Sequence, residues 1–277
     1  MSAKLGMKVS DADVAAFARD GAVRIKNVVD MADVESLRAA SDEVMRDPGE
    51  FAIGNVAQKS GSEFFTEVFV WKRNDVYRRF IEDSGLSDMA CRVMQVEKIR
   101  LFYDYMLYKS AGSGTATPWH HDITYYPVTP ESQICSIWVA LDKTTLESGG
   151  LEYIAGSHKW GKLFAPDAFD GGDSFANTGY EPIPDFDQER ADHRILDWDL
   201  EPGDCLVHHV ATVHSAPENT SGNPRRGIAL RWLAGDVIFD PRPVSAERIK
   251  KVVSSEPNSV RAGEVIQGPD FPQFTLQ

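Results

Sequence analysis

The distribution of histidine constrains this chain more than any other feature. All seven (His120, His121, His158, His193, His208, His209 and His214) lie at or after position 120, and the first 119 residues carry none. In Pro118-Trp119-His120-His121-Asp122-Ile123-Thr124-Tyr125-Tyr126 an imidazole and a carboxylate stand two residues apart. An extended segment points residues i and i+2 to the same face, so His120 and Asp122 can be presented side by side. His214, about ninety residues on, would complete two histidines and one carboxylate on one face of a metal. Such a set leaves the opposite coordination positions open, as in non-haem Fe(II) oxygenases. Eleven residues further is Arg225, whose rigid guanidinium fork suits a carboxylate bidentately.

His-x-Asp alone is common and is usually a hydrogen-bonded surface pair. The ordered set of His120, Asp122, His214 and Arg225 is far more specific. From about residue 10 to about residue 235 the chain resembles the phytanoyl-CoA dioxygenase family of Fe(II)/2-oxoglutarate-dependent oxygenases. The resemblance implies catalytic metal ligation by His120, Asp122 and His214, with Fe(II), 2-oxoglutarate and O2 as cofactor and co-substrates. It also implies that Arg225 binds the co-substrate. Trp138, eighteen residues after His120, matches a family tryptophan that borders 2-oxoglutarate. Tyr103 and Tyr105 match family residues that touch it. The family's co-substrate lysine has no clear counterpart; Lys72 is nearby in sequence.

Length and composition are those of an ordinary globular chain. There are 277 residues, 42 % hydrophobic and 26 % charged, enough for a sizeable core without staples. A formal net charge of -13 argues against nucleic acid or an anionic membrane as partner, because both require basic patches. A small-molecule substrate is the expected partner; oligomeric state is not readable. Three scattered cysteines, Cys91, Cys135 and Cys205, form no CxxC pair and suit a reducing, cytoplasmic setting. Nothing at the N-terminus reads as a signal peptide, and no apolar run is long enough to span a bilayer.

Along the chain, Ser10 and Asp13 open a helix that Gly21 ends. Ala22 to Val29 reads as a strand. Asp30 to Arg46 is an amphipathic helix, and Val76 to Met94 is helical with a break near Gly85. From residue 97 the period changes. Strands are expected over 98–109, 133–141, 151–155, 195–200, 204–209 and 227–234. Residues 156–192 look irregular, and a loop of that length is usually a lid, a binding loop or disordered. From Asp240 a polar, proline-containing segment reads as a wrapping tail. The expected fold class is α+β with a mainly β core, and the resemblance specifies a double-stranded β-helix (jelly roll, cupin-like) with flanking N-terminal helices. One domain over 1–277 is expected, with a helical part at about 10–95, a jelly-roll core at about 97–235 and a tail at about 240–277.

Strand alternation separates Arg225 from Arg226. If Arg225 faces inward, so do Gly227, Ala229 and Arg231, while Arg226, Ile228, Leu230 and Trp232 face outward. Small Gly227 and Ala229 would leave room for a bound diacid, and Arg226 suits a surface ion pair. Arg231 would hold a second anion or a structural carboxylate. His208 and His209 face opposite ways, so at most one lines the pocket, and hydrogen bonding or packing is the simpler role for each. Trp119, His121, Tyr125 and Tyr126, with Thr124, flank the metal motif on the expected substrate side. Ser157 and His158 match a family loop at the pocket mouth. For each of these, plain packing competes with substrate contact.

The resemblance implies hydroxylation of a C–H bond of a small-molecule metabolite, with oxidative decarboxylation of 2-oxoglutarate to succinate and CO2. Desaturation or demethylation would use the same site. The carboxylate ligand Asp122 favours hydroxylation or a related oxidation over halogenation, since related halogenases carry a small residue there. No nucleotide-binding motif supports a coenzyme A handle. A metal-dependent cupin-type isomerase or hydrolase without 2-oxoglutarate is the alternative enzyme, and a non-catalytic binding protein is the alternative of another class.

Overall fold

The computed structural model describes residues 8–53, 64–166, 179–243 and 245–276. Helix α1 (Asp11–Asp20) opens with a reciprocal cap: Ser10 accepts from the Asp13 amide and the Asp13 carboxylate accepts from the Ser10 amide. Gly21 closes it in the left-handed region at φ 81°, where a side chain would also collide with His158 and Thr212. β1 (Ala22–Ile25) follows, then α2 (Met31–Arg46), capped by Asp30. β2 (Ala52–Ile53) and β3 (Phe64–Val68) precede α3 (Asp75–Asp83) and α4 (Leu86–Met94), with Gly85 at φ 74° breaking the two helices apart.

The β region comprises β4 (Lys98–Lys109), β5 (Thr117–His120), β6 (Ile134–Ala140), β7 (Glu152–Ile154), β8 (Ile195–Asp197), β9 (Cys205–His209), β10 (His214–Ala216) and β11 (Arg225–Ala234). The strands form two antiparallel sheets, the larger ordered β1-β9-β6-β11-β4-β3-β2 and the smaller β5-β10-β7-β8. Each sheet interleaves strands distant in sequence, the pattern of a double-stranded β-helix. The strands expected between residues 98 and 234 are all present with ends shifted by at most three residues, and β5 and β10 are additional to them.

The segment after Asp240 has more structure than a tail. It contains α5 (Glu247–Ser254) and β12 (Gln273–Thr275), and β12 pairs with the start of β4. Apolar Ile249, Val253, Val260, Ile266 and Phe271 are buried there among Phe102, Val128 and Leu233. They are too sparse for a sequence pattern but sufficient to dock the segment. Among the described residues no helix is long and apolar enough to cross a membrane.

Burial does not alternate along the large sheet, because both of its faces are covered. One face packs against the helices: Ile137, Val139, Val207, Ile228, Leu230 and Trp232 join Phe17, Leu37, Phe80 and Met89. The other face meets the small sheet, where Trp138, Ala140, Leu206 and Ala229 pack with Tyr153 of β7. Inward and outward positions on β11 therefore follow the expected register, with outward meaning toward the helices.

Candidate metal centre and co-substrate pocket

β5 and β10 are antiparallel neighbours in which His120 and His214 are direct cross-strand partners, and their ring centroids lie 4.2 Å apart. The strand ends at His120. His121 keeps an extended backbone (φ -129°, ψ 143°), and Asp122 opens a 3-10 turn, Asp122–Thr124. The extended link at 121 is what keeps 120 and 122 on one side. One ligand atom from each of His120, Asp122 and His214 falls within 4.8 Å of the others, and all three residues are buried.

The atoms around these ligands select which of their atoms face the metal. His120 Nδ1 lies 2.8 Å from the Pro118 carbonyl and His214 Nδ1 2.9 Å from the Thr212 carbonyl. Each Nδ1–H donates to its carbonyl, which makes Nε2 the ligand atom of both rings. Asp122 Oδ1 is 3.6 Å from His120 Nε2. Its other oxygen, Oδ2, accepts from the Tyr126 hydroxyl at 3.1 Å and pairs with Arg231 Nη2 at 3.2 Å. Arg231 is further fixed by donating through Nε to the Tyr126 oxygen at 2.6 Å and through Nη1 to Ser136 Oγ. Burial alone would raise the Asp122 carboxyl, but the Arg231 guanidinium first, and then the neighbouring imidazoles, hold it well below the usual carboxylate range. Burial and the adjacent His120 push His214 well down, so the ligand stays neutral with its lone pair available.

Further along the inner face of β11 is a second charged region. Arg225 and Lys109 are cross-strand partners on β11 and β4, and both are buried. Arg225 donates to the Gly149 carbonyl at 3.0 Å and sits 5.5 Å from the Trp138 ring. Its Nε has no hydrogen-bond partner among the described residues. Lys109 donates to the carbonyls of Ala216 at 3.1 Å and Pro217 at 2.6 Å. No carboxylate pairs with either cation among the described residues. Burial lowers Arg225 to about 10; burial, then the Arg225 charge, lowers Lys109 to about 6. A buried guanidinium with an orphaned N–H, beside a buried amine, is a strong fit for a dicarboxylate's far end.

The expected pocket residues fall into several groups. Trp138 and Tyr105 lie on the inner face between the two charged regions, in line with Ala229. The room expected beside Gly227 is taken by Trp138: a methyl group at Gly227 would collide with its indole. Tyr103 and Tyr126 pack edge-on at 5.8 Å, and Tyr125 lies 6.1 Å from the His120 ring. His121 turns away and accepts from the Phe164 amide at 3.0 Å. Trp119 also points to the far face of the small sheet, donating to Asp187 at 2.9 Å and packing on Phe186. Ser157 accepts from the Val213 amide and donates to the Ile154 carbonyl, and His158 packs against His209 on the α1 side. The 156–192 segment is thus pinned to the outside of the small sheet in its described parts; residues 167–178 lie outside the described residues. Arg226 pairs with Asp142 and Asp42. Lys72 pairs with Asp270 at 2.7 Å. Sequence reasoning missed Lys109, although it shares the inward alternation of Tyr103, Tyr105 and Leu107.

A family model described as phytanoyl-CoA dioxygenase matches residues 17–227. The chain is 24 % identical over 199 residues to a probable phytanoyl-CoA dioxygenase of Caenorhabditis elegans, covering 70 % of this chain and 61 % of that protein. It is 25 % identical over 256 residues to the peroxisomal phytanoyl-CoA dioxygenase of Homo sapiens, covering 86 % of this chain and 72 % of that one. The fold is shared with the alpha ketoglutarate dependent carbocyclase SnoK from nogalamycin biosynthesis (TM-score 0.77, 21 % identity, 99 % and 100 % of the two chains). It is shared also with EctD from S. alaskensis, solved with 2-oxoglutarate and 5-hydroxyectoine (TM-score 0.71, 21 % identity, 95 % and 89 % covered). On this match the chain belongs to the phytanoyl-CoA dioxygenase family, a family of 2-oxoglutarate-dependent, non-haem iron dioxygenases.

Proposed function

We propose that the protein hydroxylates a C–H bond of a small-molecule metabolite, coupled to conversion of 2-oxoglutarate to succinate and CO2. The observation that carries this reading is the pairing of a His120–Asp122–His214 ligand set with a buried Arg225 that has no carboxylate of its own. Iron bound with 2-oxoglutarate supplies the oxidising power from O2. The chain's own residues supply position and exclusion of water. His120 and His214 present Nε2 because their Nδ1 protons are committed to carbonyls. Asp122 presents Oδ1 because Tyr126 and Arg231 occupy Oδ2. Arg225, braced on Gly149 and Trp138, receives the distal carboxylate. Apolar Ala229, Leu206 and Trp138 wall the space between them, so charge interactions there act in a low dielectric.

An isomerase or hydrolase using only the metal would leave Arg225 and Lys109 buried with no role, at a cost that such a reaction would not recover. The deciding experiment supplies anaerobically prepared protein with Fe(II) and 2-oxoglutarate, admits O2, and screens small molecules for stimulated succinate release. Succinate formation that rises with one substrate class, and a product heavier by one oxygen atom, support the proposal. Turnover of any substrate without 2-oxoglutarate would replace it with the metal-only reading.

A further inference from the structure

Along one inward row, four strands of the large sheet contribute His208, Ser136, Arg231 and Tyr103 in direct cross-strand register. Three of these are accounted for. Arg231 holds Asp122, Ser136 accepts from Arg231, and Tyr103 packs on Tyr126. His208 is different. It is 1 % exposed, its Nδ1 is 3.1 Å from the Tyr153 hydroxyl, and its Nε2 has no hydrogen-bond partner among the described residues. That nitrogen lies 3.9 Å from Asp122 Oδ2, too far for a hydrogen bond, and its ring is 4.8 Å from the His214 ring. It therefore faces the space beside two of the three metal ligands.

The tautomer follows from the neighbours. Among the described residues the Tyr153 hydroxyl has His208 Nδ1 as its hydrogen-bond partner, so donating to that nitrogen is the arrangement that spares a buried O–H. Nε2 then carries the hydrogen, which also suits its position near the Asp122 carboxylate. Nor is the N–H waiting for Asp122: Oδ2 already takes Tyr126 and Arg231, one for each lone pair in the carboxylate plane. A fully buried N–H with no acceptor is unfavourable, and its persistence asks for a ligand.

We propose that His208 is a further binding residue of this centre, whose Nε2–H donates to a carboxylate oxygen of the oxyacid that occupies the metal's open positions. This rests on the metal and 2-oxoglutarate reading above, and assigns the near end of the co-substrate a protein partner that Arg225, at the far end, does not provide. His208 would thus help to orient the metal-binding end of a 2-oxo acid, and a monoacid without that function would gain little from it.

The test is calorimetric titration of Co(II)-loaded protein, so that turnover plays no part. 2-Oxoglutarate and oxalate are each titrated into the wild type, His208→Leu, His208→Gln and Tyr153→Phe. Oxalate can bind the metal without a distal carboxylate, so its binding does not depend on Arg225. His208→Leu should weaken both ligands about tenfold, which is the loss of one charge-assisted hydrogen bond. His208→Gln, which keeps a donor, should recover most of that loss. Tyr153→Phe should weaken both by a few-fold by freeing the tautomer. Co(II) affinity of the ligand-free protein should stay within about twofold throughout. Unchanged oxalate and 2-oxoglutarate affinity in the folded His208→Leu protein, or an equal loss of Co(II) affinity, would overturn the assignment. If the wild type binds oxalate but not 2-oxoglutarate, the co-substrate reading fails while the oxalate series still decides the role of His208.

Discussion

The two charged ends of the barrel interior are built on opposite principles. At the metal end every charge has a partner: Arg231 spans Asp122, Tyr126 and Ser136, and the carboxylate is held ionised. At the other end Arg225 and Lys109 are buried side by side with only carbonyls to receive their protons. The first region has its charges balanced in the free protein and offers a fixed set of ligand atoms. The second is a buried guanidinium beside an amine whose charge burial disfavours, and a dianion would relieve both. Pre-orientation at one end and stored electrostatic demand at the other suit a site that takes its metal first and its diacid second.

Removing Asp122 should give the largest effect, because it breaks both the ligand set and the ion pair. Asp122→Ala is expected to lower succinate formation by at least about a thousandfold, by analogy with loss of a catalytic group acting within a unit. It should also destabilise the protein by about 3 kcal/mol, since Arg231 is left buried and uncompensated. Undiminished turnover in that variant would remove Asp122 from the metal.

Contrasting arginine variants test the comparison directly. Arg231→Met should cost about 3 kcal/mol of stability in urea unfolding, for the same reason in reverse. Arg225→Met removes a cation that has no anionic partner, so the free protein should lose less than about 1 kcal/mol or become more stable. Its 2-oxoglutarate affinity should fall about a hundredfold, as for truncation of a buried charged contact, with Co(II) affinity unchanged. Equal destabilisation by the two variants would mean that Arg225 has a structural partner after all.

Much of the fold was legible because its helices carry local signals, such as the Ser10–Asp13 cap and Gly21, and its strands β4 and β6 are rich in β-branched and aromatic residues. Two of the short strands were not. β5 and β10 are four and three residues long, too brief for a period, and β5 contains Pro118, which a strand reading disfavours. Yet these two strands bring His120 to His214, so the metal set was readable only from the residue pattern. Arg225 followed from alternation on β11, and the same rule applied to β4 would have found Lys109. The clamp on Asp122 was less accessible. Arg231 was placed inward, but its partner is fixed by a turn that curls Tyr126 back over Asp122, and no periodicity encodes that.

The smallest expected effect comes from Lys109, and it distinguishes the two ends by pH. In the free protein burial, then Arg225, depresses this amine to about 6, with Glu218 opposing, so near pH 7 it is mostly neutral. A dianion bound beside Arg225 stabilises the charged amine and raises that value. Binding of 2-oxoglutarate between the free and bound values must therefore take up protons, and affinity must fall as pH rises from about 6 toward 8, by no more than tenfold per unit for one proton. Calorimetry at pH 7 in two buffers of different ionisation enthalpy measures the uptake. Lys109→Met should flatten both the pH dependence and the buffer dependence. Metal binding at the paired end should show no matching contribution from Lys109. If the wild type takes up no proton on binding 2-oxoglutarate, Lys109 is not part of the diacid's electrostatic surroundings, and the demand at that end reduces to Arg225 alone.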